Sequence, residues 1–326
     1  MKNDEIILKM LAKNPAGHVS GENLARAIGT SRAAVWKRID KLRDFGFDIK
    51  GDTARGYVLE GIEDLIKPDL IRKKLETRFV GKKIVYKHVT GSTNEDAFKL
   101  ALEGKPEGTC VIADVQTAGR GRLGRSWLAP AASGVLTSVI FRPKVPPQTA
   151  TLLTLAAGVA AARAVKHVTE LEPWIKWPND LYIKNRKLAG ILTEMNAELD
   201  RVHFVIVGIG INVNIERKIF PEEIHKAATS LMIEARREIN RNQLIAALYH
   251  EMERAYLRLI ERGAKLIVEQ WEDIAKVHGR RIKASMIDGR KVQGVALGLS
   301  SDGTLLVEDK RGKVRHITAG DVEVTG

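Results

Sequence analysis

The spacing of apolar residues changes twice along this chain of 326 residues, and that change limits the folds open to it. In the first sixty residues apolar side chains recur at helical spacing. From residue 282 onward they alternate with polar ones between turns such as Ser301-Asp302-Gly303, and the middle mixes both patterns. With the acidic, linker-like stretch 60–67 and the change of period near 277–280, the sequence predicts three domains, at 1–62, 68–276 and 277–326.

Composition narrows the class of protein. The net charge of +13, from 53 Lys and Arg against 40 Asp and Glu, favours polyanionic partners such as nucleic acid or nucleotides. The single cysteine, Cys110, excludes an internal disulfide and any zinc site built from several thiolates. The uncharged stretch 149–162 is shorter than the roughly 20 apolar residues that span a bilayer, and the amino terminus lacks the order of a secretory signal. We therefore expect a cytoplasmic protein with no membrane partner.

The first domain has the pattern of a winged helix-turn-helix. Its apolar spacing predicts three helices, the turn 28–31 joins the second to the third, and a hairpin around 51–56 forms the wing. The candidate DNA contacts lie opposite the apolar stripe of the third helix, at Ala33, Lys37 and Lys41, or flank that face, at Arg32 and Trp36. A merely solvated charged face is the alternative. The first sixty residues carry 11 basic and 8 acidic side chains, only +3 of the total, so the helix geometry and the wing predict DNA binding, and charge does not.

The densest cluster of chemically useful residues is the loop 116–127, which follows a predicted strand. Its anion-binding candidates are three glycines and three arginines: Gly119, Arg120, Gly121, Arg122, Gly124 and Arg125. The glycines match the letters of G-x-G-x-x-G, but a strand follows where a dinucleotide-binding fold needs a helix. Glycines let backbone amides approach a ligand, and guanidinium groups bind phosphate or carboxylate oxygens in pairs. The alternative is a solvated basic loop.

Two further clusters are weaker by themselves. Ser92-Thr93-Asn94 begins a predicted helix, where Ser92 and Glu95 have the spacing of a capping box and need no ligand. The segment 176–180 fits a simple turn, and Lys187 fits an ordinary exposed lysine. Gly190 favours a site, because a glycine within an apolar strand often marks close approach of a ligand or of another backbone.

In their order along the chain, these clusters resemble the family of biotin protein ligases that also repress the biotin operon. The resemblance rests on the winged domain, Ser92-Thr93-Asn94, the loop 119–125, 177–180, 187–192, 208–212 and the carboxyl-terminal strands. It implies an α+β fold: an amino-terminal winged helix-turn-helix, a central mixed α/β domain of the class II synthetase-like biotin/lipoate ligase type, and a small SH3-like β barrel. It implies activation of biotin by ATP and Mg²⁺ to biotinoyl-5′-AMP, followed by transfer to a lysine of a biotin carboxyl carrier protein. It also implies repression at operator DNA by a homodimer that forms when the adenylate is bound.

The resemblance implies a set of ligand-binding residues. Biotin and its adenylate would be held by Ser92, Thr93, Asn94, Gln116, Gly119, Arg120, Gly121, Arg122, Lys187 and Gly190. The nucleotide would lie near Arg125, Trp127, Asn179 and Asn212, with Asp180 as a ligand of Mg²⁺. We expect Arg122 and Lys187 to be catalytic, because two anions must meet in the first step. Some members place an arginine of the extreme carboxyl terminus on the adenine, and the tail 320–326 has none, so adenine contacts from the barrel are not expected.

Three alternatives stay open on sequence alone. The chain could be a transcriptional regulator whose middle domain only senses a small molecule, although a sensor needs no cluster of loop cations. It could be a lipoate-type ligase, against which the winged domain and the arginine-rich loop argue. It could also be a ligase whose amino-terminal domain no longer regulates transcription.

Overall fold

The computed structural model describes residues 2–15, 17–61, 65–127, 129–286 and 289–324. The predicted domain boundary at residue 62 and the last two residues of the chain lie outside the described residues. The amino-terminal elements are α1 (Lys2–Ala12), α2 (Gly21–Ile28), α3 (Arg32–Asp44), β1 (Ile49–Asp52) and β2 (Gly56–Leu59).

Local chemistry explains where the amino-terminal helices begin and end. Ser20 caps α2 by accepting a hydrogen bond from Asn23 N, and Ser31 caps α3 in the same way. Gly29 ends α2 in the left-handed conformation, with φ of 64°, which glycine adopts without a steric penalty. The apolar faces of the helices and the antiparallel hairpin β1–β2 share one core. The predicted winged helix-turn-helix is confirmed.

The central region is built around a mixed sheet. Its elements in chain order are α4 (Pro68–Lys73), β3 (Ile84–Thr90), α5 (Thr93–Leu102), β4 (Cys110–Gln116), β5 (Gly134–Phe141), α6 (Pro147–Ala150), α7 (Leu153–Thr169), β6 (Trp174–Lys176), β7 (Asp180–Ile183), β8 (Arg186–Ala197), β9 (Val202–Asn212), α8 (Leu231–Ala235), α9 (Arg241–Arg262) and α10 (Ala264–Ala275). The strand order is β3-β4-β5-β9-β8-β7-β6, with β3 and β4 parallel and the other pairs antiparallel. Helices α7, α9 and α10 pack together over the sheet, and α5 packs against β4, β5 and β9.

The segment 176–180, which fits a simple turn by sequence, contains the turn 177–179 of a hairpin between β6 and β7. One other segment differs from the sequence-based expectation. The segment Pro147–Thr169 is long and apolar enough to cross a membrane by length and composition, contrary to the expectation that it is too short. However, 72% of its apolar window is buried inside the protein, the environment of a core helix in a globular domain.

The carboxyl-terminal strands form one antiparallel sheet: β10 (Arg281–Met286), β11 (Lys291–Leu299), β12 (Leu305–Asp309), β13 (Val314–Ile317) and β14 (Gly320–Val324). Their order is β13-β12-β11-β10-β14. Ile282 and Ala284 face the core while their neighbours are exposed, as the predicted alternation requires. The Gly303 carbonyl accepts a hydrogen bond of 3.1 Å from Trp177 Nε1 and so joins these strands to the β6–β7 turn. The predicted α+β fold class is confirmed, and the domain boundaries stay predictions.

Candidate functional site

A single open cleft gathers most of the predicted ligand-binding residues. It has an empty volume of about 750 Å³ and lies between the start of α5, the loop 116–127, the β6–β7 turn, β8, β9 and β14. The predicted residues that line it are Ser92, Thr93, Asn94, Gln116, Arg120, Gly121, Arg122, Arg125, Trp127, Asn179, Asp180, Lys187 and Gly190. Gly119 and Asn212 are outside this lining. The fold therefore brings together predicted residues that are as far apart in the sequence as Ser92 and Gly190.

Hydrogen bonds fix the floor of the cleft at the start of α5. Thr93 donates from its backbone N and from Oγ1 to Gln116 Oε1, at 2.7 and 2.9 Å. Asn94 Oδ1 accepts from Ser138 Oγ at 2.6 Å, and Asn94 Nδ2 donates to Glu194 Oε2 at 2.7 Å. Within the described residues the Ser92 side chain makes no capping hydrogen bond, so the capping-box alternative is not formed.

Three glycines of β8 and β9 leave room for two large side chains on this floor. A Cβ atom at Gly208 would lie 2.0 Å from Asn94 Oδ1, and one at Gly210 would lie 2.6 Å from the Trp127 ring. A Cβ atom at Gly190 would lie 3.2 Å from the same ring. The glycines are therefore required by the positions of Asn94 and Trp127.

The three arginines of the loop 116–127 contact three different walls. Listed by arginine, the acceptors are Glu194 of β8 for Arg120 at 3.1 Å, Asn179 of the β6–β7 turn for Arg122 at 3.3 Å, and Asp321 of β14 for Arg125. Arg122 is half-buried, and this burial lowers its pKa, while the charges of Asp321 and Asp180 act in the opposite direction. The loop is thus held at several points by charged or polar contacts that a ligand anion can replace.

A bulge directs Lys187 into the cleft. In the β7–β8 pair, Leu181 lies opposite Ala189 while Tyr182 lies opposite Lys187, so β8 carries one extra residue at this point. Lys187 Nζ lies 2.8 Å from Asp180 Oδ1 and 5.7 Å from the centre of the Trp127 ring. The ion pair lacks hydrogen-bond geometry, so within the described part of the chain the buried Asp180 Oδ1 has no hydrogen-bond donor.

The two predicted residues outside the lining support it from behind. The Gly119 carbonyl accepts a hydrogen bond of 2.9 Å from Trp127 N and closes the loop, and a Cβ atom at Gly119 would lie 2.3 Å from the Trp127 carbonyl oxygen. Asn212, at the end of β9, is buried and donates from Nδ2 to the Thr229 carbonyl at 3.0 Å. Gly119 and Asn212 were predicted as ligand-binding residues from their motifs, but in the structure they contact other residues of the protein, Trp127 and Thr229.

The sequence analysis missed three residues at the cleft: Asp321, which lines it, and Ser138 and Glu194, which hydrogen-bond to Asn94 of its lining. Ser138 lies within an apolar strand and looks like a core position, but the register places it opposite Gly208. Glu194 and Asp321 are two of many acidic residues, and only strand pairing and the docking of β14 bring them to the loop. The barrel, from which no adenine contact was expected, thus supplies Asp321 to the cleft wall.

The predicted DNA-binding face of α3 is a separate surface. Its five candidate residues are all exposed: Arg32, Ala33, Trp36, Lys37 and Lys41. Trp36 is 55% exposed, while the neighbouring Arg38 turns inward and pairs with Asp4 at 2.6 Å. In the described ranges no ion pair involves Arg32, Lys37 or Lys41, so these cations are available to an external anion.

Three protein-family models match this chain. Residues 86–212 match the Biotin/lipoate A/B protein ligase family, residues 5–58 match an HTH domain, and residues 277–324 match the Biotin protein ligase C terminal domain. Among solved structures, the biotin protein ligase from Aquifex aeolicus in complex with biotin and ATP is 28% identical, with a TM-score of 0.65. The match covers 75% of this chain and 100% of the Aquifex chain.

Similarity to curated proteins extends over nearly the whole chain. The bifunctional ligase/repressor BirA of Bacillus spizizenii is 37% identical over 98% of this chain and 97% of its own length. The protein of the same name from Bacillus subtilis is 39% identical over 94% of each chain, and that from Escherichia coli is 32% identical over 99% of this chain and 98% of its own. With a winged domain, a cation-lined cleft and this full-length similarity, the chain belongs to the family of bifunctional biotin protein ligases and repressors.

Proposed function

We propose that this chain activates biotin with ATP to biotinoyl-5′-AMP, transfers biotin to one lysine of a biotin carboxyl carrier protein, and represses the biotin genes through its winged domain. Full-length similarity to bifunctional ligase/repressors supports both halves. The observation that carries the ligase half is the convergence of Arg120, Arg122, Arg125 and Lys187 on one cleft. A domain that only sensed a small molecule would not need four cations around its ligand.

We assign biotin to the inner part of the cleft. Ser92, Thr93, Asn94 and Gln116 offer polar groups there, and Ile191 and Ile209 offer apolar surface. A few polar groups in an apolar cleft fix the orientation of a small ligand. Gly121 and Gly190 allow the backbone to approach it closely. The biotin carboxylate then points toward Arg122 and Lys187.

The first step joins two anions, and the cations of the cleft make that approach possible. An oxygen of the biotin carboxylate attacks the α-phosphorus of ATP, a P–O bond to the β-phosphate oxygen breaks, and pyrophosphate leaves. Arg122 and Lys187 stabilise the negative charge that grows on the α-phosphate oxygens. Arg125 and Asn179 bind the nucleotide, whose base stacks near Trp127, while Asn212 supports that side of the cleft from behind.

Asp180 suits a magnesium ion that arrives with ATP. In the described residues no group of three or more His, Cys, Asp and Glu side chains is placed to form a metal site by itself. Mg²⁺ is usually bound by one or two carboxylates together with substrate phosphates, and the buried Asp180 Oδ1 lacks a hydrogen-bond donor in the part of the chain that is described. Bound there, the ion would offset the charge of the departing pyrophosphate.

The second step needs no nucleophile from the enzyme. The amine of the acceptor lysine attacks the biotinyl carbonyl carbon, an amide bond forms, and AMP leaves. Until the acceptor arrives, the mixed anhydride must be kept from water. We assign this task to the loop 116–127, whose arginines tie it to β8, the β6–β7 turn and β14.

For repression, we propose that α3 enters the major groove of operator DNA and that the chain binds DNA as a homodimer when biotinoyl-5′-AMP is present. The exposed face of Arg32, Ala33, Trp36, Lys37 and Lys41 supports this role. A two-fold dimer would place two such helices at half-sites about one helical turn apart. Because the operator and the carrier protein are both cytoplasmic, we place the chain in the cytoplasm.

Biotin-dependent exchange of radioactive pyrophosphate into ATP tests the ligase half. The full chain should catalyse exchange with biotin and much less with lipoate. Exchange with lipoate alone would favour the lipoate-type ligase, and no exchange with either acid would favour the sensor. A gel shift with DNA from upstream of the biotin genes tests the repressor half, and a complex that needs both biotin and ATP is expected. Failure to form that complex would favour a ligase that no longer regulates transcription.

A further inference from the structure

A buried carboxylate outside the cleft is linked to Lys187 through its neighbours. The side chain of Glu234, on α8, is only 2% exposed. It accepts hydrogen bonds from Thr229 Oγ1 at 2.6 Å and from Arg186 at 2.5 Å, and it pairs with Lys184 Nζ at 3.3 Å. Burial raises the pKa of Glu234, but the hydrogen bond from Thr229 and the contacts with the cations Lys184 and Arg186 outweigh it, so the pKa lies below its ordinary value and the group is ionised near neutral pH.

The partners of Glu234 lie on both sides of Lys187. Arg186 precedes that lysine directly, and Lys184 lies in the β7–β8 turn, where its backbone has φ of 53°. On the other side, Thr229 N donates to the Lys187 carbonyl at 2.9 Å, and Lys187 N donates to the Ala227 carbonyl at 2.7 Å. The backbone of Lys187 is therefore fixed by the strand-like segment that leads into α8.

The same threonine also reaches the other end of the cleft. The Thr229 carbonyl accepts the hydrogen bond from Asn212 Nδ2, while its hydroxyl donates to Glu234. Thr229 is fully buried, as is Ser230, which caps α8 by accepting from Ile233 N. One carboxylate thus fixes a segment that contacts both Lys187 and Asn212.

We propose that Glu234 is a positioning residue for the ligase reaction: through Arg186 and Thr229 it holds the bulged backbone of Lys187, so that Nζ of that lysine meets the α-phosphate. The inference rests on the proposed function. Catalytic geometry is sensitive to such support, since a misplacement of about 1 Å can cost on the order of a hundredfold in rate. If Glu234 only stabilised the fold, its substitution would lower the free energy of unfolding, and any loss of rate would not depend on whether Lys187 is present.

The test is a double-mutant cycle on the full chain, with biotin-dependent pyrophosphate exchange as the readout. Glu234→Gln keeps the shape of the side chain and removes its charge. It should lower kcat about tenfold, a smaller loss than full misplacement would cause, and leave KM for biotin unchanged. Lys187→Met should lower kcat further, and the doubly substituted chain should match Lys187→Met alone. Glu223→Gln, at an exposed glutamate before α8, is the matched control and should exchange normally.

The outcomes separate the inference from the proposed function. An unchanged kcat in Glu234→Gln, or losses that multiply in the doubly substituted chain, would overturn the positioning role. Absence of exchange in the unsubstituted chain would overturn the proposed function, and this inference with it. If Glu234→Gln does not unfold cooperatively, Thr229→Val replaces it in the cycle, since it removes one hydroxyl and leaves the backbone contacts to Lys187 and Asn212. The same non-additive result is expected, and multiplying losses again count against the proposal.

Discussion

The ligand cleft and the recognition helix α3 both present cations, but the surroundings of those cations differ. In the cleft, Arg122 contacts Asn179, and Lys187 pairs with Asp180 at 2.8 Å. On α3, Lys37 is exposed and is in no ion pair within the described part of the chain. The cleft is therefore an arranged set of charges with internal partners, whereas the helix face is an open one.

This difference leads to two modes of anion recognition. A ligand in the cleft must take the place of an internal partner, so it binds well only if its oxygens match the positions of several cations. DNA on α3 displaces only solvent and counterions, so much of its affinity comes from counterion release and falls steeply with salt. Substitutions in the cleft should change the chemistry, and substitutions on α3 should change the salt dependence of DNA binding.

The largest effect is expected for Lys187→Met. Removing this cation leaves the growing charge on the α-phosphate with less stabilisation, so pyrophosphate exchange should fall on the order of 100- to 1,000-fold. Lys226→Met removes an exposed lysine from the segment before α8 and should exchange at the normal rate. A loss below about tenfold in Lys187→Met would show that Lys187 is not catalytic.

Arg122→Gly should release the intermediate. A hydrogen bond to a charged group contributes about 1.5–3 kcal/mol, so the dissociation rate of biotinoyl-5′-AMP should rise on the order of 10- to 100-fold. The escaped adenylate should then label lysines of an added bystander protein, as measured by streptavidin blot. Arg122→Lys keeps the charge but loses the paired donors, and an intermediate rate is expected. An unchanged dissociation rate in Arg122→Gly would contradict the role given to this arginine.

Substitutions on α3 should have a smaller effect, on operator affinity and its salt dependence, and they test the contrast with the cleft. Replacing Lys37 and Lys41 together by alanine removes four lysines from the homodimer. It should weaken operator binding about tenfold and flatten the slope of log K against log salt by about 4, because each phosphate contact contributes about 0.9. Pyrophosphate exchange should be unaffected. Arg122→Gly provides the converse control: with biotin and ATP at saturating concentrations, so that the adenylate site stays occupied, it should leave the salt slope unchanged. An unaltered slope in the α3 variant would mean that these lysines do not contact phosphate.

The sequence was informative where structure and chemistry are local. The turn 28–31 between α2 and α3 and the loop 116–127 after a strand both follow from neighbouring residues, and the structure has them as predicted. The order of the clusters along the chain identified the family before any fold was known.

What could not be predicted depends on strand register and on the docking of one region against another. Ser138 reaches Asn94 only because β5 pairs with β9 in one register, and Glu194 reaches the loop through β8. Asp321 is more than 190 residues from Arg125 in the sequence, and no local pattern links them. The sequence therefore predicts the site from the loop 116–127. The acidic partners of its arginines, such as Glu194 and Asp321, are found only from the folded structure.

Those internal partners give the smallest predicted effect, for Asp321→Asn. The ion pair with Arg125 is exposed, with side chains 42% and 62% accessible, so its loss should change the free energy of unfolding by at most about 1 kcal/mol. If the carboxylate competes with ATP for Arg125, its removal should lower KM for ATP by about fivefold at low salt, and by less at high salt because screening weakens the contact. Exchange measured across ATP concentrations at two ionic strengths checks this, with Glu323→Gln, an exposed acid of the same strand, as the control. A raised KM would mean that Asp321 aids nucleotide binding. The cleft would then bind ATP with this carboxylate still beside Arg125, which contradicts the view that a ligand takes the place of an internal partner.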